Sequence, residues 1–176
     1  MWSLALTPSS ALWMPAVEDL DMSDKWVLSE LNKTARDMTA NMDSYDMGLA
    51  AAKIQNFIWD VYCDWYIEIC KSRLNGGDEK QADVARKVLV YVLDRALRLL
   101  HPIMPFVTEE IYQALPGSAE TIMNQSWPVF DAEYDWPEEC ADFETLELVV
   151  SRNGRHPYAA YAYEIYIAVT HCPITE

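Results

Sequence analysis

Val88-Leu89-Val90-Tyr91-Val92-Leu93-Asp94-Arg95-Ala96-Leu97-Arg98-Leu99-Leu100-His101-Pro102-Ile103-Met104-Pro105-Phe106-Val107-Thr108-Glu109-Glu110-Ile111-Tyr112 reads as a helix, a proline-enforced joint and a second helix. Apolar residues recur at helical spacing up to Leu100. Pro102 lacks a backbone N–H and cannot continue the hydrogen-bond ladder, while Pro105 brings a pre-set φ that suits the first turn of a new helix. Glu109 and Glu110 then fall early in that helix, where negative charge favours the dipole. Two packed helices with a short joint follow.

Toward the N-terminus, Asp21 or Ser23 is a competent N-cap for an earlier helix, whose stripe is Val27, Leu31, Thr34/Ala35, Met38 and Met42. Asp43-Ser44-Tyr45-Asp46 reads as a loop, with Asp46 able to cap the next helix. That helix, from about Met47 to Leu74, is apolar on several faces through Ile54, Phe57, Ile58, Val61, Tyr62, Trp65 and Ile69, which suits the middle of a bundle. Asn75-Gly76-Gly77 ends it, and Asp78 caps the helix that leads into the proline joint. The helix after Pro105 stops near Leu115, before Pro116-Gly117. From Ser118 to Pro137 the chain is aromatic, acidic and broken by proline, which predicts an extended covering segment. A short helix is expected from about Glu138 to Val150. The expected fold is therefore all-α, an antiparallel bundle of four to five helices with an irregular acidic cover. Its organisation reads as an irregular lead-in over 1–20, a helical domain over 21–150 and an atypical tail over 151–176. Phe57, Ile58, Val61, Trp65, Leu89, Val92, Leu93, Leu97, Phe106, Val107 and Ile111 are expected to share one core.

The 176 residues suffice for one domain with a sizeable core, and 51% of them are hydrophobic. No apolar run approaches the roughly 20 residues that span a bilayer. Met1-Trp2-Ser3-Leu4-Ala5-Leu6 has no basic stretch before its apolar residues and does not read as a signal peptide. Cys63 and Cys70 lie on one helix, too far apart to bridge each other, and Cys140 and Cys172 are remote in sequence, so reduced cytosolic thiols are expected. The formal net charge of −15 argues against a phosphate-rich partner, which usually needs a basic surface. No lysine or arginine lies between Arg98 and Arg152, so any RNA-facing surface belongs on the early helices.

No catalytic constellation is readable. His101 beside Pro102 reads as a capping or packing residue. Cys63 and Cys70 have no histidine spaced to complete a zinc site. Asp60, Asp64 and Glu68 line one helical face but lack the Glu-x-x-His pairs of a di-metal bundle. Asn75-Gly76-Gly77-Asp78 has neither the preceding strand nor the following Gly-Lys-Ser of a phosphate loop. No metal and no cofactor are expected.

Two segments carry a resemblance. Leu99-Leu100-His101-Pro102 through Glu110 resembles the "LLHPxMPFxTEE" signature of the anticodon-binding domain of the valyl-tRNA synthetase family, class I aminoacyl-tRNA synthetases. Asn56-Phe57-Ile58-Trp59-Asp60-Val61-Tyr62-Cys63-Asp64-Trp65-Tyr66-Ile67-Glu68 is similar to the "FIWDxxCDWYIE" helix of the same family. The resemblance runs from about Asp24 to Pro128. It implies a module that holds the anticodon arm of valine tRNA, works in the cytoplasm and is joined to the catalytic domain of a parent valine–tRNA ligase. The ATP-binding signatures of such an enzyme, of the His-Ile-Gly-His and Lys-Met-Ser-Lys-Ser types, do not occur, so this chain itself is not expected to catalyse the ligation. The resemblance also implies that Trp26, in Ser23-Asp24-Lys25-Trp26, is a stacking platform for an anticodon base, with Lys25, Lys33 and Arg36 as phosphate contacts. The bland reading of Trp26 is a hydrophobic staple against Leu20.

The nearest alternative is an isoleucine-type domain. The alternative from another class is a helical protein-interaction module with no RNA role, which the negative charge favours. The chain departs from the family at both ends. The first twenty residues lack its Asn-Ala-Ser-Arg-Phe-like helix, and after Val150 no long basic helix follows. The tail reads as disordered or out of frame, with a strand over 159–169 as the other reading.

Overall fold

The structure, a computed structural model, describes residues 14–143. The short helix expected up to Val150 runs beyond these residues, and the tail after residue 150 lies outside them, as does most of the lead-in. Within them every regular element is helical.

Helix α1 (Met22–Asp43) starts on a reciprocal cap: the Asp24 N–H donates to the Asp21 carboxylate and the Asp21 N–H donates to the Asp24 carboxylate. Three residues later the chain reverses into α2 (Met47–Asn56), and Tyr45 makes the turn with φ of 63°. Asp46 occupies the N-cap position of α2 without making a side-chain cap bond, a correction to the capping role expected of it. The rod then continues as a π-helix (Phe57–Tyr66) and as α3 (Ile67–Asn75). The Ile67 N–H reaches back five residues to the Tyr62 carbonyl, the signature of the wider π ladder. Gly77, at φ of +83°, lets the chain turn out of this rod.

Helix α4 (Glu79–Leu100) is capped by Asp78, whose carboxylate accepts from the Lys80 and Gln81 N–H groups. The proline joint follows, and α5 (Pro105–Ala114) begins on Pro105. The chain then crosses back over α1 and α4 as a strap with two short 3-10 turns (Ile122–Asn124 and Ala132–Tyr134), and a final helix, α6, opens over residues 137–143. Side chains of α1 fasten the strap. Asn32 accepts from the Asp131 N–H and donates to the Asp131 carbonyl, Ser29 Oγ accepts from the Trp136 N–H, and Thr39 Oγ1 accepts from Trp127 Nε1.

The core joins α1, the long rod and α4, with Val27, Met38, Ile54, Tyr66, Val88, Val92 and Leu99 fully enclosed. Phe57, Trp65 and Val92 sit in it as the sequence predicts, and Ile58, Val61, Leu89 and Leu93 pack against it. Four residues depart from that expectation. Leu97 belongs to a separate small cluster with Tyr112 and Ile122, while Phe106, Val107 and Ile111 are exposed, Phe106 by 89%. Among the described residues, α5 turns Thr108 and Tyr112, four residues apart, inward and leaves Phe106, Val107 and Ile111 exposed.

Candidate functional site

Helix α1 carries the four residues singled out from sequence, Lys25 and Trp26 in its first turns and Lys33 and Arg36 near its middle, and the geometry of its start is set by a buried charge. Asp24 is fully enclosed and meets the Arg73 guanidinium through two hydrogen bonds, Nη1 to Oδ1 at 2.7 Å and Nη2 to Oδ2 at 3.1 Å. Tyr66 donates its phenol to Asp24 Oδ1 at 2.6 Å, and Arg73 Nη1 also pairs with Asp21 at 2.9 Å. Burial pushes the Tyr66 phenol well above its ordinary value, which keeps that proton in place as a donor. Burial and the Asp24 charge beside it likewise raise the Asp21 carboxyl. This network pins α1 to α3 and turns Trp26 inward.

Trp26 is 3% exposed and its ring stacks on Phe143, with centroids 3.9 Å apart and planes inclined by 18°. A base cannot stack on a face that protein already covers, so the expectation of a stacking platform is corrected. The indole belongs to the core, in the same cluster as Leu20.

Lys25, Lys33 and Arg36 lie along the more open side of α1, each beside an acid. Lys25 pairs with Glu139 of α6 at 3.0 Å, and that hydrogen bond holds the Glu139 carboxyl below its ordinary value. Lys33 pairs with Glu30 at 2.8 Å. Arg36 and Lys53 converge on Asp37 at 3.2 and 3.1 Å, and Arg36 also lies over the Phe130 ring. Partial burial opposes charge on Asp37, yet the two hydrogen bonds win and hold its carboxyl below the ordinary value. The structure thus brings Arg36 together with Lys53, which sequence reasoning had not placed in the site.

Two cavities open elsewhere, and none of the four sequence candidates lines either. One, of about 360 Å³, lies between α4 and the turn after α5, against Tyr91, Asp94, Arg95, Arg98, Ser118, Gln125 and Ser126. The other, of about 430 Å³, lies between α1 and the strap and is walled by Asn32, Trp127 and Tyr134. Tyr91, Arg95 and Ser126 belong to both walls. Arg95 packs over the Tyr91 ring at 4.4 Å. A cavity formed by a helix and an irregular segment leaves no periodic signal, which is why sequence alone missed it.

His101, Thr108 and Glu109 of the long signature make contacts within the protein at the proline joint. The Thr108 hydroxyl lies 2.9 Å from the Met104 carbonyl oxygen and within hydrogen-bond distance of His101 Nδ1, at 2.7 Å, which ties the end of α4 to the first turn of α5. Glu109 turns toward the strap, taking hydrogen bonds from Thr121 Oγ1 at 3.0 Å and from the Ile122 N–H. Cys63 and Cys70 are free thiols. Asp60 and Asp64 are exposed, and Glu68 pairs with Lys71. Among the described residues no cluster of histidine, cysteine and acidic side chains could hold a metal ion, and no helix is long and apolar enough to cross a membrane.

Comparison with known proteins meets this geometry from the other side. Valine–tRNA ligase of Staphylococcus carnosus (strain TM300) is 49% identical over 121 residues, 69% of this chain and 14% of that protein. Valine–tRNA ligase of Oceanobacillus iheyensis is 42% identical over 139 residues, 78% of this chain and 16% of that protein. The corresponding ligase of Latilactobacillus sakei is 46% identical over 133 residues, 76% of this chain and 15% of that protein. The chain therefore spans only 14% to 16% of the length of these relatives. The family described as the anticodon-binding domain of tRNA ligase matches residues 24–156, a span that takes in both motifs, the buried Asp24–Arg73 pair and all of the core cluster but Leu20. The chain belongs to that family.

Proposed function

We propose that this chain holds the anticodon arm of valine tRNA as the helical module of a valine–tRNA ligase, with amino-acid activation and transfer carried out by other parts of that enzyme. The observation that carries this reading is the family match over residues 24–156, joined to relatives named valine–tRNA ligase. On this reading the module needs no cofactor of its own, works in the cytoplasm, and has the catalytic domain of the parent ligase as its second partner. Lys25, Lys33 and Arg36, with Lys53 beside Arg36, supply phosphate contacts by exchanging their present carboxylate partners for the RNA backbone.

One observation favours a different reading: nearly every cation on the described surface is already paired with an acid in a chain of net charge −15, which suits a protein-interaction module. Titrating the 176-residue chain at low salt with fluorescently labelled valine tRNA separates the two. Saturable binding, weaker for isoleucine tRNA, is the expected result. Binding to isoleucine tRNA of equal strength removes the valine assignment, and absence of saturable binding to either tRNA overturns the reading in favour of a protein partner.

A further inference from the structure

We propose that the two cavities that share Arg95 in their walls seat one phosphate of a single-stranded RNA, with Arg95 as the cation and the flanking nucleotides in the two cavities. This rests on the tRNA reading above and names a contact surface that the basic residues of α1 do not share.

Charge pairing singles Arg95 out. Every other lysine and arginine among the described residues sits in an ion pair with a carboxylate. Arg95 alone among them has none, although the chain carries a large excess of acids. Asp94 acts on Arg95 only at longer range and Asp131 lies in the wall of the second cavity, so a half-buried guanidinium with no carboxylate in contact is where an anion from outside gains most.

The surroundings fit such an anion. Nε of Arg95 and Nε of Arg98 are both buried without a hydrogen-bond partner, and Arg98 spends its terminal nitrogen on Asp94 at 2.8 Å. Arg95, Arg98 and Asp94 together leave the first cavity with one net positive charge, which a phosphodiester seated there neutralises, while Asp131 puts one acid in the wall of the second. The facing wall adds the Ser126 hydroxyl and the second amide hydrogen of Gln125, whose first goes to the Thr121 carbonyl, while the Ser118 hydroxyl is given to the Gln113 carbonyl. Volumes of about 360 and 430 Å³ on either side of Arg95 lie within the usual range of small-ligand sites, roughly 300–1,000 Å³. The second volume is walled by Trp127 and Tyr134, aromatic surface of the kind on which unpaired bases stack.

The test follows backbone amides of the isotopically labelled 176-residue chain by NMR. Two probes are added at low salt: the anticodon stem-loop RNA of valine tRNA, and inorganic phosphate alone. The RNA is expected to shift the amides of Ser118, Gln125 and Ser126. Arg95→Gln should weaken RNA binding by about ten-fold or more and lower the slope of log affinity against log salt by about one. Arg95→Lys, which keeps the charge, should recover most of that slope and serves if the glutamine variant fails to fold. Lys71→Gln, at an exposed ion pair outside the cavities, should change neither. RNA binding that leaves these amides and the Arg95 variants unaffected overturns the site while the tRNA reading stands. Shifts produced by inorganic phosphate with no binding of the RNA overturn both the RNA assignment and the tRNA reading, and make the occupant a free phosphate compound.

Discussion

Arg73 and Asp24, 49 residues apart in sequence, close on each other as a fork on a carboxylate, both of them nearly inaccessible to water. Tyr66 adds a third hydrogen bond to the same carboxylate and Asp21 a second acid to the same guanidinium. Neither charge could remain there alone. Breaking such a pair leaves the survivor desolvated and uncompensated, which costs far more than the pair itself contributes.

Arg73→Met should therefore destabilise the chain by about 3–5 kcal/mol, and a double variant that also replaces Asp24 with leucine should be less damaged than the sum of the two single changes. Urea unfolding followed by circular dichroism reads both. A loss under 1 kcal/mol for Arg73→Met would mean that water reaches the pair.

Asp21 makes the acid side of stability unusual. Its carboxyl titrates above the ordinary 3.8, chiefly through burial, so just above that value the folded chain holds a proton that the unfolded chain has released. The contribution of this group is full below 3.8 and is lost as pH rises through its folded value. Asp21→Asn keeps a capping side chain and removes the titration. Unfolding free energies measured from pH 3.8 upward should show the wild type losing ground to the variant as pH rises, and parallel curves would contradict this.

Trp26→Ala and Trp65→Ala should each cost about 3–5 kcal/mol, since both rings are buried against Phe143. Where the Trp26 variant remains folded, its affinity for RNA should match that of the wild type. A selective loss of affinity at unchanged stability would return the indole to the binding surface.

How far the sequence carried this reading depends on how local the signal was. Asp21, Asp78, Pro105 and Gly77 mark helix ends through their own side chains or backbone preferences, and all four ends fall where those residues predict. The π register over 57–66 was not legible, because a helix apolar on several faces looks the same at either pitch. The outward turn of Phe106 was hidden too, since nothing local tells which flank of α5 meets protein. Nothing local marks Asp24 and Arg73 as a buried pair, because only the packing of α1 on α3 brings them together. The same limit kept Arg95 out of the candidate site: a missing partner is a property of the folded surroundings.

Tyr45 offers a gain in stability. It is 90% exposed and holds a left-handed φ of 63°, a conformation that costs an L-residue with a bulky side chain roughly 1–2 kcal/mol. Asparagine tolerates that conformation, so Tyr45→Asn should stabilise the chain by about 1 kcal/mol in thermal denaturation. A lowered midpoint would show that the ring makes a contact of its own.

Salt dependence reports how many cations give up their acids for RNA. With about three to five phosphate contacts, log affinity for valine tRNA should fall with a slope of roughly −2 to −4 against log salt. A slope near zero in fluorescence titrations would point to a partner other than nucleic acid.

The fastening of the strap by Asn32 has a consequence for hydrogen exchange. Its side-chain amide offers Asp131 the donor and acceptor that a neighbouring peptide unit would offer, at 2.6 and 2.8 Å, and Ser29 takes the Trp136 N–H in the same way. Amides in an irregular segment ordinarily exchange within the time of mixing, whereas these two are closed off as though they belonged to a ladder. Deuterium uptake at Asp131 and Trp136 thus becomes a clock for the lifting of the strap from α1, running separately from the slower clock of Val88 and Val92 in the enclosed core.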